Sequence, residues 1–130
     1  FEVFTSHIAR WWPGHVHSVS AAQNASPQDI VFEQKTGGAI YEIQANGARS
    51  DWGVVQDWTP PTGFSMTWHP GGIPDRATLV TLEFRAEAAG TKVTLTHSGW
   101  EVLGDSASET AQGYNGGWDY VLGECYNSAF

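Results

Sequence analysis

The sequence predicts an α+β fold in which a short helix precedes an antiparallel sheet and a single C-terminal helix covers that sheet. Two observations support this prediction. Apolar residues recur at helical spacing near both ends of the chain, and six runs of alternating apolar and polar residues lie between them. Short links join these runs, whereas parallel neighbours need long crossovers, so successive strands are expected to pair antiparallel. A length of 130 residues is typical of one domain, and we expect residues 1–130 to form a single one.

The first helix is predicted over residues 1–10. Its apolar residues follow a helical period, and they are Phe1, Phe4, Ile8 and, just after them, Trp11. Pro13 and Gly14 end this helix. Residues 15–27 are rich in Ser, Ala, Asn and Gln, and we expect them to form an irregular connection to the sheet.

Six strands are predicted after this connection, each bounded by residues that favour turns. They span residues 30–34, 39–45, 49–59, 64–69, 77–87 and 91–97. Asn46-Gly47 is a hairpin signal, and Pro60-Pro61-Thr62-Gly63 is a strong turn.

Alternation along a strand predicts which side chains point into the domain. The residues predicted to share inward faces are Ala39, Tyr41 and Ile43; Trp52, Val54 and Trp58; Phe64, Met66 and Trp68; Val80, Leu82 and Phe84; and Val93, Leu95 and His97. By the same alternation Glu42 lies opposite Tyr41, so its carboxylate is expected to face solvent.

The C-terminal helix is predicted between residues 106 and 130. Its apolar residues follow a 3.6-residue period, and they are Tyr114, Trp118, Val121, Leu122, Cys125 and Ala129. Gly113, Gly116, Gly117 and Gly123 each lower the helix propensity by about 1 kcal/mol relative to Ala. So many glycines in one helix indicate that a ligand or a tightly packed sheet passes close to its backbone.

Aromatic residues dominate the composition, with seven tryptophans in the chain. A domain of this size does not need so much aromatic area to fold, so the sequence predicts a wide apolar interior. That interior is either a ligand pocket or a solid core filled by the rings.

Charge and cysteine content restrict the classes of partner. Six Lys and Arg face fourteen Asp and Glu, for a net charge of −8, and the few cations are scattered along the chain. Nucleic-acid binding relies on clustered cations, so nucleic acid is excluded as a partner. No run is long enough to span a membrane. Cys125 is the single cysteine, which fits a reducing, cytoplasmic setting.

Chemistry-bearing motifs are sparse. No nucleophile elbow, Cys-His pair or Ser-His-Asp order stands out. His15 and His17 form a His-x-His pair, but a metal would need a third ligand and no metal motif accompanies them. We therefore predict neither a metal site nor a cofactor.

Several local strings occur in an order that resembles a known family. They are Phe4-Thr5, Trp11-Trp12-Pro13, Gly37-Gly38-Ala39-Ile40-Tyr41-Glu42, Asp51-Trp52-Gly53, Trp58-Thr59-Pro60-Pro61, Phe64-Ser65-Met66-Thr67-Trp68-His69-Pro70-Gly71, Gly90-Thr91-Lys92-Val93-Thr94-Leu95-Thr96-His97-Ser98-Gly99-Trp100 and Tyr114-Asn115-Gly116-Gly117-Trp118. The whole chain resembles the START-like superfamily, which includes polyketide cyclases and birch-pollen-allergen-like proteins. Within it, the chain is similar to the branch named after the activator of heat-shock protein 90 ATPase.

This resemblance implies a helix-grip fold, in which a curved antiparallel sheet wraps around the long C-terminal helix. Family members begin with a strand ahead of the first helix. The chain is expected to lack that strand, which would leave its last strand as an exposed edge of the sheet.

The resemblance also implies a cavity between the sheet and the C-terminal helix. The residues expected to line it and to bind a ligand are Tyr41, Trp52, Val54, Trp58, Met66, Trp68, Leu95, His97 and Trp118. His97 is the polar residue among them, and it would orient a ligand or titrate near neutral pH. The alternative is that the rings simply fill the core.

Three functions follow from these observations. The first is non-enzymatic binding of a small hydrophobic or aromatic molecule. The second, implied by the family name, is a stress-response interaction with a chaperone through an exposed surface. The third is a cyclase or aromatase activity with His97 as acid or base, ranked last because no partner for the histidine can be placed from sequence. The sequence also allows a homodimer.

Overall fold

The sheet is a six-stranded antiparallel meander in the order β1-β2-β3-β4-β5-β6, so the predicted topology is confirmed. The computed structural model describes all 130 residues. The strands are β1 Asp29–Phe32, β2 Ala39–Ile43, β3 Arg49–Thr59, β4 Gly63–Trp68, β5 Thr78–Glu87 and β6 Gly90–Ser98. The sheet curls into a half-barrel with the C-terminal helix alongside it, which confirms the helix-grip architecture.

The helices lie close to where the sequence predicts them. The N-terminal segment forms two short helices, α1 Glu2–Ser6 and α2 Ile8–Trp11, which meet at His7. The C-terminal helix α3 spans Ala107–Tyr120 and continues as a π-helical turn, Val121–Tyr126. No helix combines the length and the apolar character that crossing a bilayer requires.

The interior has two ends, and aromatic rings pack differently in each. At one end α1 fills the sheet, where Phe1 and Phe4 lie 5.9 Å and 5.6 Å from Phe64, between ring centroids. Trp58 belongs to this solid cluster through Phe1, at 5.1 Å. At the other end Trp12, the residue that follows α2, packs against Trp52 of β3, Trp68 of β4 and Trp118 of α3.

Two bulges in β3 change which of its side chains point inward. Ile40 pairs with Gly53 but Tyr41 pairs with Asp51, so Trp52 has no partner on β2. Val55 pairs with Met66 and Asp57 with Ser65, so Gln56 has no partner on β4. Each bulge shifts the alternation by one residue.

The prediction that Val54 points inward is therefore wrong. Trp52 and Val55 are both 1 % exposed, whereas Val54 between them is 38 % exposed. The face of β2 is reversed as well. Ile40 and Glu42 are fully buried, and Tyr41 lies on the outer face, where the guanidinium carbon of Arg49 sits 3.8 Å from its ring centroid.

Glu42, expected to face solvent, is thus a buried carboxylate. Burial of a charged group is tolerated when the group is hydrogen-bonded. Glu42 accepts four hydrogen bonds, from the backbone N–H groups of Val19 and Ser20, from the Ser20 hydroxyl and from the Trp52 indole.

Candidate functional site

A cavity of about 660 Å³ occupies the end of the interior that α1 does not fill. Pockets for drug-sized ligands range from about 300 to 1,000 Å³. Its walls come from residues 16–23, from the link between β4 and β5, and from α3. Four indoles form its inner surface, and we name it the tryptophan cavity after them: Trp12, Trp52, Trp68 and Trp118.

The four indoles pack against one another as a continuous aromatic surface. Ring centroids of Trp12 and Trp52 lie 5.3 Å apart, those of Trp52 and Trp68 lie 5.6 Å apart, and those of Trp68 and Trp118 lie 5.5 Å apart. These separations are typical of favourable aromatic pairs, about 4.5–7 Å. The rings therefore support one another through direct contact.

Every indole N–H of the cavity has a partner in the protein. Trp12 donates to the carbonyl of His17 at 2.6 Å, and Trp52 donates to the Glu42 carboxylate at 2.8 Å. Trp68 donates to the Tyr114 hydroxyl at 3.2 Å, and Trp118 donates to Nδ1 of His97 at 2.9 Å. Because the polar edge of each ring is satisfied, the rings offer a ligand apolar surface.

Glycines of α3 leave room on the opposite wall. Gly113 and Gly117 both line the cavity, one helical turn apart. A Cβ added at Gly113 would meet no atom within 4 Å, and one added at Gly117 would meet only Cε1 of His17, at 3.8 Å. The sheet does not press on this part of the helix, so the glycines widen the cavity.

Glu42 fixes the segment that forms the outer wall. Its carboxylate accepts from Val19 N at 2.6 Å and from the Ser20 hydroxyl at 2.9 Å, while also holding Trp52. One buried group thereby connects the wall segment, β2 and the aromatic surface. Charge-assisted hydrogen bonds of this kind are stronger than neutral ones.

His97 lies behind the aromatic surface, in the wall of a second cavity of about 430 Å³ that also includes Leu95. Tyr114 and Trp118 belong to both cavities. Burial lowers the pKa of His97 from 6.5 to about 4, so its imidazole is neutral at pH 7. Nδ1 accepts from Trp118, and Nε2 lies 2.6 Å from the Thr78 hydroxyl.

The nine residues predicted to line one site are therefore divided among several places. Trp52, Trp68 and Trp118 line the tryptophan cavity, whereas Leu95 and His97 line the second cavity. Met66 and Trp58 pack in the core, and neither lines either cavity. Val54 points away from the interior because of the bulges in β3, and Tyr41 does so because the buried face of β2 is that of Ile40 and Glu42.

Sequence reasoning missed Trp12, His17 and Tyr114 as lining residues. Trp12 and Tyr114 belong to the strings that resemble the family, but their spacing in the sequence does not show that they line the same cavity as Trp52 of β3 and Trp68 of β4. The spacing of His17 from His15 indicates only a metal pair and gives no sign that its ring lines a cavity. No three His, Cys, Asp or Glu side chains lie close enough together to hold a metal ion.

Comparisons with known proteins agree with this architecture. The family described as Activator of Hsp90 ATPase homolog 1-like protein matches residues 1–124. A solved structure described as an anthrahydroquino-gamma-pyrone synthase, Txn09, complexed with SUM, superimposes with a TM-score of 0.58 and 35 % sequence identity, covering 84 % of this chain and 73 % of that chain. No curated protein matches the sequence significantly. Both matches extend over most of the chain.

Proposed function

The chain belongs to the Activator of Hsp90 ATPase homolog 1-like family, within the START-like superfamily, and on that premise we propose that it binds a flat, polycyclic aromatic molecule in the tryptophan cavity. Binding by a single START-like domain is the activity we propose, without a chemical step. One observation carries the proposal: four mutually packed indoles line an open cavity, and none has a free N–H.

Such a surface favours planar ligands over branched aliphatic ones. Ring faces and edges of the ligand can pack against the indoles in offset or edge-on geometry, which adds about 0.5–1.5 kcal/mol per pair beyond the burial of area. Burial itself contributes about 25 cal/mol per Å² of apolar surface, before the costs of association. The name of the related synthase, whose product contains fused rings, fits a ligand of this shape.

Charge supports a neutral ligand. The residues that line the cavity include no Asp, Glu, Lys or Arg. A carboxylate or phosphate on the ligand would meet no cation there, and the chain as a whole carries a net charge of −8.

A cyclase-like reaction is the second candidate, because the related solved structure is described as a synthase. His97 does not suit the role of acid or base in it. Both ring nitrogens are engaged within the protein, one by Trp118 and one by Thr78, and the ring lines the second cavity instead. A general base must reach the proton that it abstracts.

The test fills the cavity without disturbing the core. Gly113→Leu places a side chain into the open space at Gly113, and its matched control is Gly116→Leu, in the same helix but outside the cavity wall. Both exchanges remove a glycine from a helix, so both are expected to stabilise it by up to about 1 kcal/mol. Binding of anthracene and 9,10-anthraquinone is measured by quenching of tryptophan fluorescence and by calorimetry.

We expect the native protein and Gly116→Leu to bind both polycycles, and Gly113→Leu to bind them at least tenfold more weakly. Perhydroanthracene, which has the same carbon skeleton without flat rings, is expected to bind more weakly than anthracene. The proposal is wrong if the native protein binds neither polycycle, or if Gly113→Leu binds them as well as Gly116→Leu does.

A further inference from the structure

We infer that the ligand of the tryptophan cavity carries a phenolic hydroxyl group and that the imidazole of His17 accepts its hydrogen bond. This inference rests on the proposed function and names a chemical feature of its ligand. It begins from the position of His17, which lines the cavity beside α3.

The side chain of His17 packs against α3. Its ring centroid lies 6.0 Å from that of Tyr120, and its Cε1 lies 3.8 Å from where a Cβ of Gly117 would be. The imidazole therefore lies beside this turn of the helix, at a distance where an added Cβ would make an ordinary van der Waals contact. His17 is partly buried, whereas His15, two residues earlier, is exposed.

The backbone of His17 is fixed on both sides. Its carbonyl accepts the Trp12 indole N–H at 2.6 Å, and two residues later the N–H of Val19 is bound by the Glu42 carboxylate at 2.6 Å. A polar group held in place before the ligand arrives loses little conformational entropy on binding. This makes His17 a preorganised partner rather than a loop residue that happens to be near.

Several other polar groups of the cavity already form hydrogen bonds within the protein. The Tyr114 hydroxyl accepts from Trp68, and the Ser18 hydroxyl donates to the carbonyl of Gly14 while accepting from the N–H of Ala21. Gln23 is exposed and stays hydrated. The Thr110 hydroxyl, on α3, forms no hydrogen bond within the protein and is a further polar group of the cavity lining.

The ring nitrogens of His17, in contrast, form no hydrogen bond within the protein. The bond from Trp12 to His17 involves the backbone carbonyl and not the ring. Burial lowers the pKa of His17, and the neighbouring His15 lowers it further, which favours the neutral ring at pH 7. A neutral imidazole has one nitrogen that accepts, and a phenolic O–H is a donor that suits it. A ligand that covered the ring with only apolar groups would displace water from this nitrogen and provide no hydrogen bond in exchange.

The experiment compares two ligands that differ by one hydroxyl group, naphthalene and 2-naphthol. Dissociation constants are measured by calorimetry for the native protein, for His17→Phe, which keeps an aromatic ring beside Tyr120, and for the exposed control His15→Phe. We expect His17→Phe to bind 2-naphthol about threefold to tenfold more weakly than the native protein, the usual worth of one hydrogen bond. Its affinity for naphthalene, and both affinities of His15→Phe, are expected to change less than twofold.

His17→Gln offers a smaller acceptor and is expected to restore part of the preference for 2-naphthol. Nitrogen NMR of the imidazole rings provides a second test. The resonances of His17 are identified by their loss in His17→Phe. In the native protein they should shift on adding 2-naphthol and not on adding naphthalene. If both ligands bind but His17→Phe keeps the native preference, or if no imidazole nitrogen responds, the inference about His17 is wrong and the proposed function stands. If neither ligand binds the native protein, the proposed function fails first.

Discussion

Trp118 donates its indole N–H to Nδ1 of His97 across 2.9 Å, and this bond determines the tautomer of the histidine. An indole N–H is only a donor, so Nδ1 must accept and Nε2 must carry the proton. The Thr78 hydroxyl lies 2.6 Å from Nε2 and donates in turn to the carbonyl of Trp68 at 3.2 Å. A chain of hydrogen bonds therefore runs from Trp118 on α3 to Trp68 on β4, through a neutral histidine.

The consequence for the cavity is geometric. Two of its four indoles are connected by this chain, and a separate hydrogen bond from Trp68 to the Tyr114 hydroxyl also joins β4 to α3. Tyr114 also packs on His97, with ring centroids 4.7 Å apart. His97 thus acts as a positioning residue that holds the aromatic surface in shape.

The first prediction concerns pH. Protonation of Nδ1 would place its N–H directly against the indole N–H of Trp118, and two donors cannot bond to each other. Burial lowers the pKa of His97 from 6.5 to about 4. The unfolded chain takes up this proton near pH 6.5 and the folded one near pH 4. Between these values the unfolded state binds more protons, so the free energy of unfolding falls as the pH falls from 6.5 to 4.

Urea unfolding of the native protein and of His97→Gln, at several pH values from 7.5 to 4, measures this contribution. Glutamine can still accept from Trp118 and donate to Thr78, but it does not titrate. We expect a smaller loss of stability on acidification in His97→Gln than in the native protein. Equal slopes in the two proteins would contradict the assigned role, since the acidic groups elsewhere are common to both.

The second prediction concerns Glu42. Glu42→Gln replaces one carboxylate oxygen by an NH₂ group, which cannot accept a hydrogen bond. Whichever oxygen is replaced, two bonds are lost: those from the Val19 N–H and the Trp52 indole at one oxygen, or those from the N–H and the hydroxyl of Ser20 at the other. Leaving buried donors without partners costs about 1–3 kcal/mol. We expect the free energy of unfolding to fall by about 2 kcal/mol.

Loss of these hydrogen bonds should also make residues 16–23, which form the outer wall of the cavity, less ordered and so weaken ligand binding. The control is Glu83→Gln on β5, an exposed carboxylate without these partners, for which stability and binding should stay near native. Urea unfolding and anthracene binding measure the two effects. A stable Glu42→Gln protein would mean that the carboxylate does not hold the segment as the geometry indicates.

The sequence predicts the meander and the C-terminal helix because each depends on local periodicity. The inner faces of β4 and β5, with Met66 and Leu82 in the core, follow from strict alternation alone. The inner face of β3 does not, because bulges at Trp52 and Gln56 interrupt its alternation and leave no local signature in the sequence. β2 alternates strictly, but alternation alone does not say which of its two faces lies inside, and the buried face is that of Ile40 and Glu42. The burial of Glu42 has no local sign in the sequence either, because three of its four hydrogen bonds come from Val19 and Ser20, more than twenty residues away along the chain.

The candidate site was harder to predict for a related reason. The glycines of α3 indicated close approach to the helix, and the structure places Gly113 and Gly117 on the cavity wall. The tryptophans indicated either a pocket or a solid core, and the interior contains one of each. Whether a tryptophan packs in the core or lines the cavity depends on where α1 packs against the sheet. That packing involves contacts between residues distant in sequence, such as Phe1 and Trp58.

The third prediction tests the bulges directly. Val55 is 1 % exposed and Val54 is 38 % exposed, although uninterrupted alternation from Trp52 would reverse their positions. Val55→Ala removes two buried methyl groups, at about 0.8 kcal/mol each before any cost of the cavity left behind. We expect a loss of about 2 kcal/mol in the free energy of unfolding.

Val54→Ala is its matched partner, one residue away in the same strand. We expect it to change the free energy of unfolding by less than about 0.5 kcal/mol. Chemical denaturation of both variants distinguishes the two registers. The opposite ranking, with Val54→Ala the more destabilising, would show that β3 follows the simple alternation.

The fourth prediction concerns Gly53, which lies between the two bulges of β3. A Cβ at this position would collide with the backbone carbonyl oxygen of Thr67 on β4, and backbone atoms within a sheet cannot move aside as a flexible side chain can. Gly53→Ala must therefore separate β3 from β4 next to Trp52 and Trp68, at a cost of about 1–3 kcal/mol.

Gly123→Ala is the control, because an added Cβ there meets no atom within 4 Å. Thermal and urea unfolding should show a clear loss for Gly53→Ala and none for Gly123→Ala, and anthracene binding should weaken only in the former because the aromatic surface is displaced. A Gly53→Ala protein as stable as the native one would mean that β3 and β4 are further apart at this point than the carbonyl contact requires.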